Sequence, residues 1–162
     1  MPDRNVGDVI RFENGGSILV GADPLINVRS GTLKLKIPGY EPIPHKDRGV
    51  LIDVYAGDER ACMAEFDLAY TSPYDANGIF AVMMGALTAG IMKNRIAGGK
   101  LFTFDMTVRF PDGPEATTGD QYLFNKCYLA DGLAVETNSG ADFDTLKIAV
   151  TSHKFSPTST RY

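Results

Sequence analysis

Between Phe102 and Phe110 the chain alternates without a break. Phe102, Phe104, Met106, Val108 and Phe110 take every second position, with Thr103, Asp105, Thr107 and Arg109 between them. A β-strand turns successive side chains to opposite faces, so only as a strand can this stretch bury one side and wet the other. Pro111-Asp112-Gly113-Pro114 ends it as a turn. The same period of two recurs from Thr32 to Ile37, where Leu33, Leu35 and Ile37 oppose a wet, cationic face of Lys34 and Lys36. Gln121 to Ala130, Leu133 to Thr137 and Thr145 to Phe155 read as further strands, separated by Asp131-Gly132 and Asn138-Ser139-Gly140.

The N-terminal third breaks into short β-like pieces, Val9 to Phe12, Ser17 to Val20 and Ile26 to Arg29, with turns at Gly15-Gly16, Asp23-Pro24 and Gly31. Residues 1–31 are therefore expected to form an arm or edge elements. Pro38 to Gly49 holds three prolines within seven positions, which removes backbone donors and fixes φ, and a long exposed loop is expected there. Val50 to Ala56 and Ala61 to Thr71, joined by Gly57-Asp58, read as a hairpin with Asp53, Glu65 and Asp67 on its polar side. One segment has helical spacing. Ile79, Val82, Met83, Ala86, Leu87 and Ile91 recur at three and four, Ser72-Pro73-Tyr74-Asp75 resembles a cap, and Gly98-Gly99 follows, so a flanking helix is expected from about Pro73 to Met92. The polar residues from Ser156 to Tyr162 are expected to be a loose tail. Together these make a mainly β fold, a β-sandwich or barrel-like single domain over residues 1–162 with one helix on its side.

A chain of 162 residues with 44% apolar content is one domain's worth of core. Its 16 basic and 20 acidic residues give a formal charge of −4, and no cluster of Lys or Arg exceeds two adjacent positions. Nothing builds the basic stripe that gripping a nucleic acid requires. Cys62 and Cys127 lie in strand-like apolar runs where a thiol behaves as a small hydrophobe. The charged N-terminal segment MPDRNVGD lacks the apolar stretch of a signal peptide, and the glycine-broken run Gly78 to Met92 is too short to cross a bilayer. Synthesis in cytoplasm and no membrane partner are expected.

Tests for chemistry come back thin. His45, His153, Cys62 and Cys127 are scattered at no metal-ligand spacing, and neither histidine has an acid or nucleophile placed to use it as a base. Gly99-Lys100 does not complete a phosphate loop, since Asn94 stands where the first glycine belongs. Asp53, Glu65, Asp67 and Asp105 could supply the paired carboxylates of a β-sandwich hydrolase, but alternating acids are what any solvated sheet face shows. No enzyme activity and no cofactor are expected.

What remains is a long proline-marked segment, an arm and a tail, features that serve contacts between subunits. The order of features resembles the tail tube (major tail) proteins of long-tailed bacteriophages and related phage-like tails. The likeness is carried by Asp47-Arg48-Gly49 and the strand Val50 to Tyr55, then Gly57-Asp58-Glu59-Arg60 and Ala64-Glu65-Phe66-Asp67-Leu68. After the helix it continues in Phe104 to Pro111 and Phe124-Asn125-Lys126-Cys127-Tyr128-Leu129. The resemblance implies stacked, hexameric rings that form a hollow tube in a virion tail, through which DNA passes without specific binding. It implies an acidic lumen carrying Asp53, Glu65 and Asp67, and an inter-ring loop with Tyr40, Glu41, His45, Lys46, Asp47 and Arg48. Partners would be the chain itself, a tape-measure protein and a tail terminator. A capsid cement protein is the alternative, distinguished by staying dispersed until it meets a capsid lattice.

Overall fold

The structure, a computed structural model, describes residues 16–21, 23–25, 32–37, 39–70, 72, 74, 78–86, 88, 90–113, 116–137, 139–140, 143–152 and 154–162. Two antiparallel sheets face each other. The first orders its strands β13-β10-β9-β1-β2, from β1 (Ser17–Val20), β2 (Asp23–Leu25), β9 (Phe104–Pro111), β10 (Gly119–Cys127) and β13 (Lys154–Arg161). The second orders β11-β12-β6-β3, from β3 (Lys34–Lys36), β6 (Cys62–Ala69), β11 (Leu133–Glu136) and β12 (Thr145–Ser152). Alternation does what it must: Phe104, Met106 and Val108 of β9 turn inward to meet Cys62, Ala64, Phe66 and Leu68 of β6 and Leu146, Ile148 and Val150 of β12 in one cluster. Burying this much aliphatic and aromatic surface, at about 25 cal/mol per Å², is what holds the sheets together. Where β10 ends, Tyr128 and Thr151 exchange both backbone hydrogen bonds at 3.0 Å and stitch the first sheet to β12.

The mainly β single domain with a flanking helix is as expected, but several boundaries move. The helix α1 spans only Ile79–Met84, starting after Gly78 rather than at Ser72-Pro73. It stops because Gly85 turns left-handed at φ 68 with the Phe102 ring packed over it, so a Cβ there would lie 2.5 Å from that ring. Ile79, Phe80, Met83 and Met84 bury against the sandwich; the stripe beyond them leaves the helix and returns when Arg95 N–H donates to Met84 C=O at 2.9 Å. A two-stranded ribbon of β7 (Ile96–Ala97) and β8 (Lys100–Leu101) follows.

The segment from 156 is not a loose tail. β13 pairs along β10, Arg161 holds Asp112 through two bonds of 2.9 and 2.7 Å and Asp120 at 2.9 Å, and the Arg109 guanidinium sits 4.7 Å over the Tyr162 ring. These two carboxylates raise the Arg161 guanidinium further above its usual range, chiefly through the Asp112 bonds. The sequence shows no apolar period here, so only the free edge of β10 reveals the strand. Asp23-Pro24 also lies in a strand, paired antiparallel to β1, instead of forming a turn. Val9 to Phe12, Ile26 to Arg29, Gly31, Pro38, Pro73, Asp75, Leu87, Asn138 and His153 lie outside the described residues.

Cys127 gives the sandwich a pH signature. Burial pushes its thiol from an ordinary 9.0 to about 12, with the neighbouring Cys62 and Asp105 adding to the shift. Between those values the unfolded chain gives up a proton that the folded chain keeps, so stability falls as pH rises from about 9 towards 12. In Cys127→Ala this part of the alkaline slope is expected to vanish; melting curves of both proteins over that range check it.

Candidate functional site

The least core-like part of the chain is β4 (Tyr40–Asp47) paired with β5 (Val50–Glu59). Where a loop and then a different hairpin were expected, residues 40–59 form a ribbon of their own, and β6 pairs with β12 and β3 instead of β5. The prolines permit this, because a two-stranded ribbon is all edge and tolerates missing donors; the register slips between Tyr40 and Pro42 and again between His45 and Lys46. At its tip Arg48 takes a left-handed φ of 47, followed by Gly49.

Cross-strand register divides the ribbon into two faces. Pro42 sits opposite Ala56 and Pro44 opposite Val54, an apolar stretch on one face; beyond the slip at His45 and Lys46 the register sets Lys46 opposite Leu51 and Asp47 opposite Val50, so charge returns towards the tip. Ile43 opposite Tyr55 and His45 opposite Asp53 make the other, with the His45 and Tyr55 rings edge to face at 6.1 Å. Val50, Ile52 and Val54 are 63, 61 and 50% exposed. Aliphatic side chains in a row, with none of them covered, mark a surface that is completed by something else. Tyr40, Glu41, His45, Lys46, Asp47 and Arg48 all lie exposed on β4 or its turn.

The second surface is the outer face of the β11-β12-β6-β3 sheet. Glu65 and Asp67 are both there, as the alternation of β6 requires, but Asp53 is not: it belongs to the ribbon, where its Oδ1 accepts the Val54 N–H at 2.8 Å. The expected acidic face is therefore neither one hairpin nor wholly acidic. Lys34 lies directly opposite Glu65, Lys147 opposite Asp67, and the Lys147 ammonium bonds Glu136 at 2.9 Å. That hydrogen bond and the Glu136 charge raise the Lys147 ammonium above its usual value. With Lys36, and with Asp131 beside the same groove, three lysines share this face with four carboxylates. Thr32 Oγ1 accepts the Asp67 N–H at 3.1 Å, at the side of an open groove of about 460 Å³. The edges of this sheet matter as much as its face: among the described residues β3 and β11 each have a strand neighbour on one side only.

The arrangement offers little to a reaction. Asp53 stands apart from Glu65 and Asp67, and the Asp105 carboxylate accepts the Lys126 N–H at 3.1 Å, supporting the left-handed Lys126 in the β10 bulge. Cys62 and Cys127 are buried with raised thiols, Cys62 donating to Ser152 C=O, so neither is a ready thiolate. Among the described residues no group of three His, Cys, Asp or Glu could hold a metal, and no helix is long and apolar enough to cross a membrane.

The sandwich with a short helix on its side shares its overall fold with proteins of phage-like contractile injection systems. No family model and no curated protein matches the sequence. Solved structures do. A protein of the PVC sheath–tube complex of an extracellular contractile injection system, in its extended state, superposes at TM-score 0.67 with 10% identity, over 97% of this chain and 95% of that one. A protein of the PVC sheath/tube terminator in the extended state gives 0.70 with 11% identity, over 96% and 99%. A protein of the anti-feeding prophage cap, which terminates that tube, gives 0.65 with 11% identity, over 99% and 95%.

Proposed function

We propose that this chain is a structural tube subunit, whose copies close side by side into rings and stack ring on ring. The observation that carries the reading is the ribbon: Ile43, Val50, Leu51, Ile52 and Val54 are each half exposed or more, and none of them joins the core cluster. The open edges of β3 and β11 supply the lateral contact. An unpaired strand edge is a template for another strand, and a sheet with two such edges can continue through successive copies until it closes as a barrel. The likeness to tube and tube-terminating proteins agrees with both.

In this arrangement, which we take to be hexameric by the family likeness, the face bearing Glu65 and Asp67 lines the channel and Asp53 serves the inter-ring contact. The wall then mixes both signs, Lys34, Lys36 and Lys147 with Glu65, Asp67, Glu136 and Asp131. A polyanion such as DNA would meet lysines already set against carboxylates, so no net positive field holds it to the wall. Virion tail, tape-measure and terminator partners follow from the same proposal.

Electron microscopy of the purified protein in negative stain tests it. Rings or hollow filaments of uniform bore are expected; globular particles that remain dispersed at every salt and protein concentration would overturn it and favour a cement protein.

A further inference from the structure

We infer that the ribbon of one copy seats in the groove between the end of α1 and the β7-β8 turn of the next, so that stacking is a head-to-tail contact between two dissimilar surfaces of the same chain. This rests on the tube reading and names the receptor for its projecting element.

The receptor is defined by composition and by shape. From Gly78 to Phe104 the sequence contains no Asp or Glu, while Lys93, Arg95 and Lys100 are all present. After Gly85 ends the helix, the chain swings out and returns through the Arg95 N–H to Met84 C=O bond, and Asn94 Nδ2 anchors it to Leu129 C=O at 2.9 Å. The excursion encloses a groove of about 430 Å³ with Gly85, Ala86 and Ile91 in its wall and Lys93, Arg95 and Ile96 on its rim. Ile96 is 69% and Met92 56% exposed, so apolar surface is uncovered here as on the ribbon.

The ligand has the opposite charge. From Tyr40 to Glu59 the ribbon carries Glu41, Asp47, Asp53, Asp58 and Glu59 against Lys46 and Arg48, which leaves it net negative. An aliphatic face flanked by carboxylates matches an aliphatic groove flanked by ammonium and guanidinium groups. Two copies related head to tail satisfy both, whereas a two-fold pair would set ribbon against ribbon and carboxylate against carboxylate. A heterologous contact of this kind does not close on itself, which is the property a stack of rings needs.

Cysteine pairing tests the contact directly. A chain carrying Ile52→Cys and Ile96→Cys, both exposed positions, should give a ladder of disulfide-linked multimers when assembled filaments are mildly oxidised, while either single variant stops at dimers. Lys93→Glu with Arg95→Glu should raise the protein concentration needed for stacking by about tenfold or more. Mixing that variant with a chain carrying Asp58→Lys and Glu59→Lys should recover much of the loss. If the unaltered protein forms filaments but the paired variant gives no ladder and the charge reversal shifts assembly by less than about twofold, the ribbon seats elsewhere and the tube reading stands. If the unaltered protein forms no filaments at all, both fall together.

Discussion

Replacing Ile52 and Val54 together by aspartate should leave a fully folded subunit that no longer assembles. Both side chains are exposed on the ribbon, and the ribbon contributes nothing to the core cluster. Stability should therefore move by no more than about 0.5 kcal/mol, the range of ordinary surface substitutions. Assembly is different. Two carboxylates on a face that must lose its water each cost roughly 2 to 3 kcal/mol or more when unpaired, and at 1.4 kcal/mol per tenfold the threshold concentration should rise at least about a hundredfold. Ile52→Thr with Val54→Thr keeps the β-branching that suits a strand and separates loss of apolar area from loss of the ribbon. Melting by circular dichroism and sedimentation of the assembled fraction measure the two effects independently. An unchanged sedimentation threshold would remove the ribbon from the stacking contact.

Gly119→Ala should do the reverse and damage the fold itself. A Cβ at position 119 would lie 2.2 Å from the Phe110 carbonyl oxygen and 2.7 Å from the Pro111 Cα. Both are backbone atoms of β9, paired in register with β10, and neither can swing aside as a flexible side chain would. Gly119 also exchanges backbone hydrogen bonds with Tyr162, so any shift there pulls on the end of β13, where Arg161 grips Asp112 and Asp120. A cost of about 3 kcal/mol is expected, which for a chain of this size lowers the melting temperature by roughly 10 °C. Gly140→Ala, where nothing lies within 4 Å of the added carbon, should change it little. Equal melting temperatures for the two variants would mean that the turn between β9 and β10 relaxes at no cost.

The charged sheet face shows how far residue patterns reach. Alternation in β6 placed Glu65 and Asp67 on one wet face and Cys62, Ala64, Phe66 and Leu68 on the buried one, and both are found so. The lysines of β3 were equally visible as a wet face of their own. What the pattern of either strand alone does not contain is that Lys34 lies across from Glu65, because pairing partners are chosen by long-range register. Lys147 and Glu136 come from still later in the chain, and with them a face read as negative becomes one of mixed charge. The basic groove had a signal that could have been followed, a run from Gly78 to Phe104 with cations and no acids.

By itself the sequence determined which residues face inward and which outward along β6 and β9, since a pleat of period two leaves no choice once one side is apolar. It determined as well that one sandwich-sized core would form. Only the tertiary structure decided that Val50 to Glu59 pairs with the proline-rich segment before it and remains uncovered, that the helix ends at Met84 under the Phe102 ring, and that the last residues complete a sheet. Each of those outcomes depends on which strand edge or ring arrives from elsewhere in the chain, and local periodicity carries no information about that arrival.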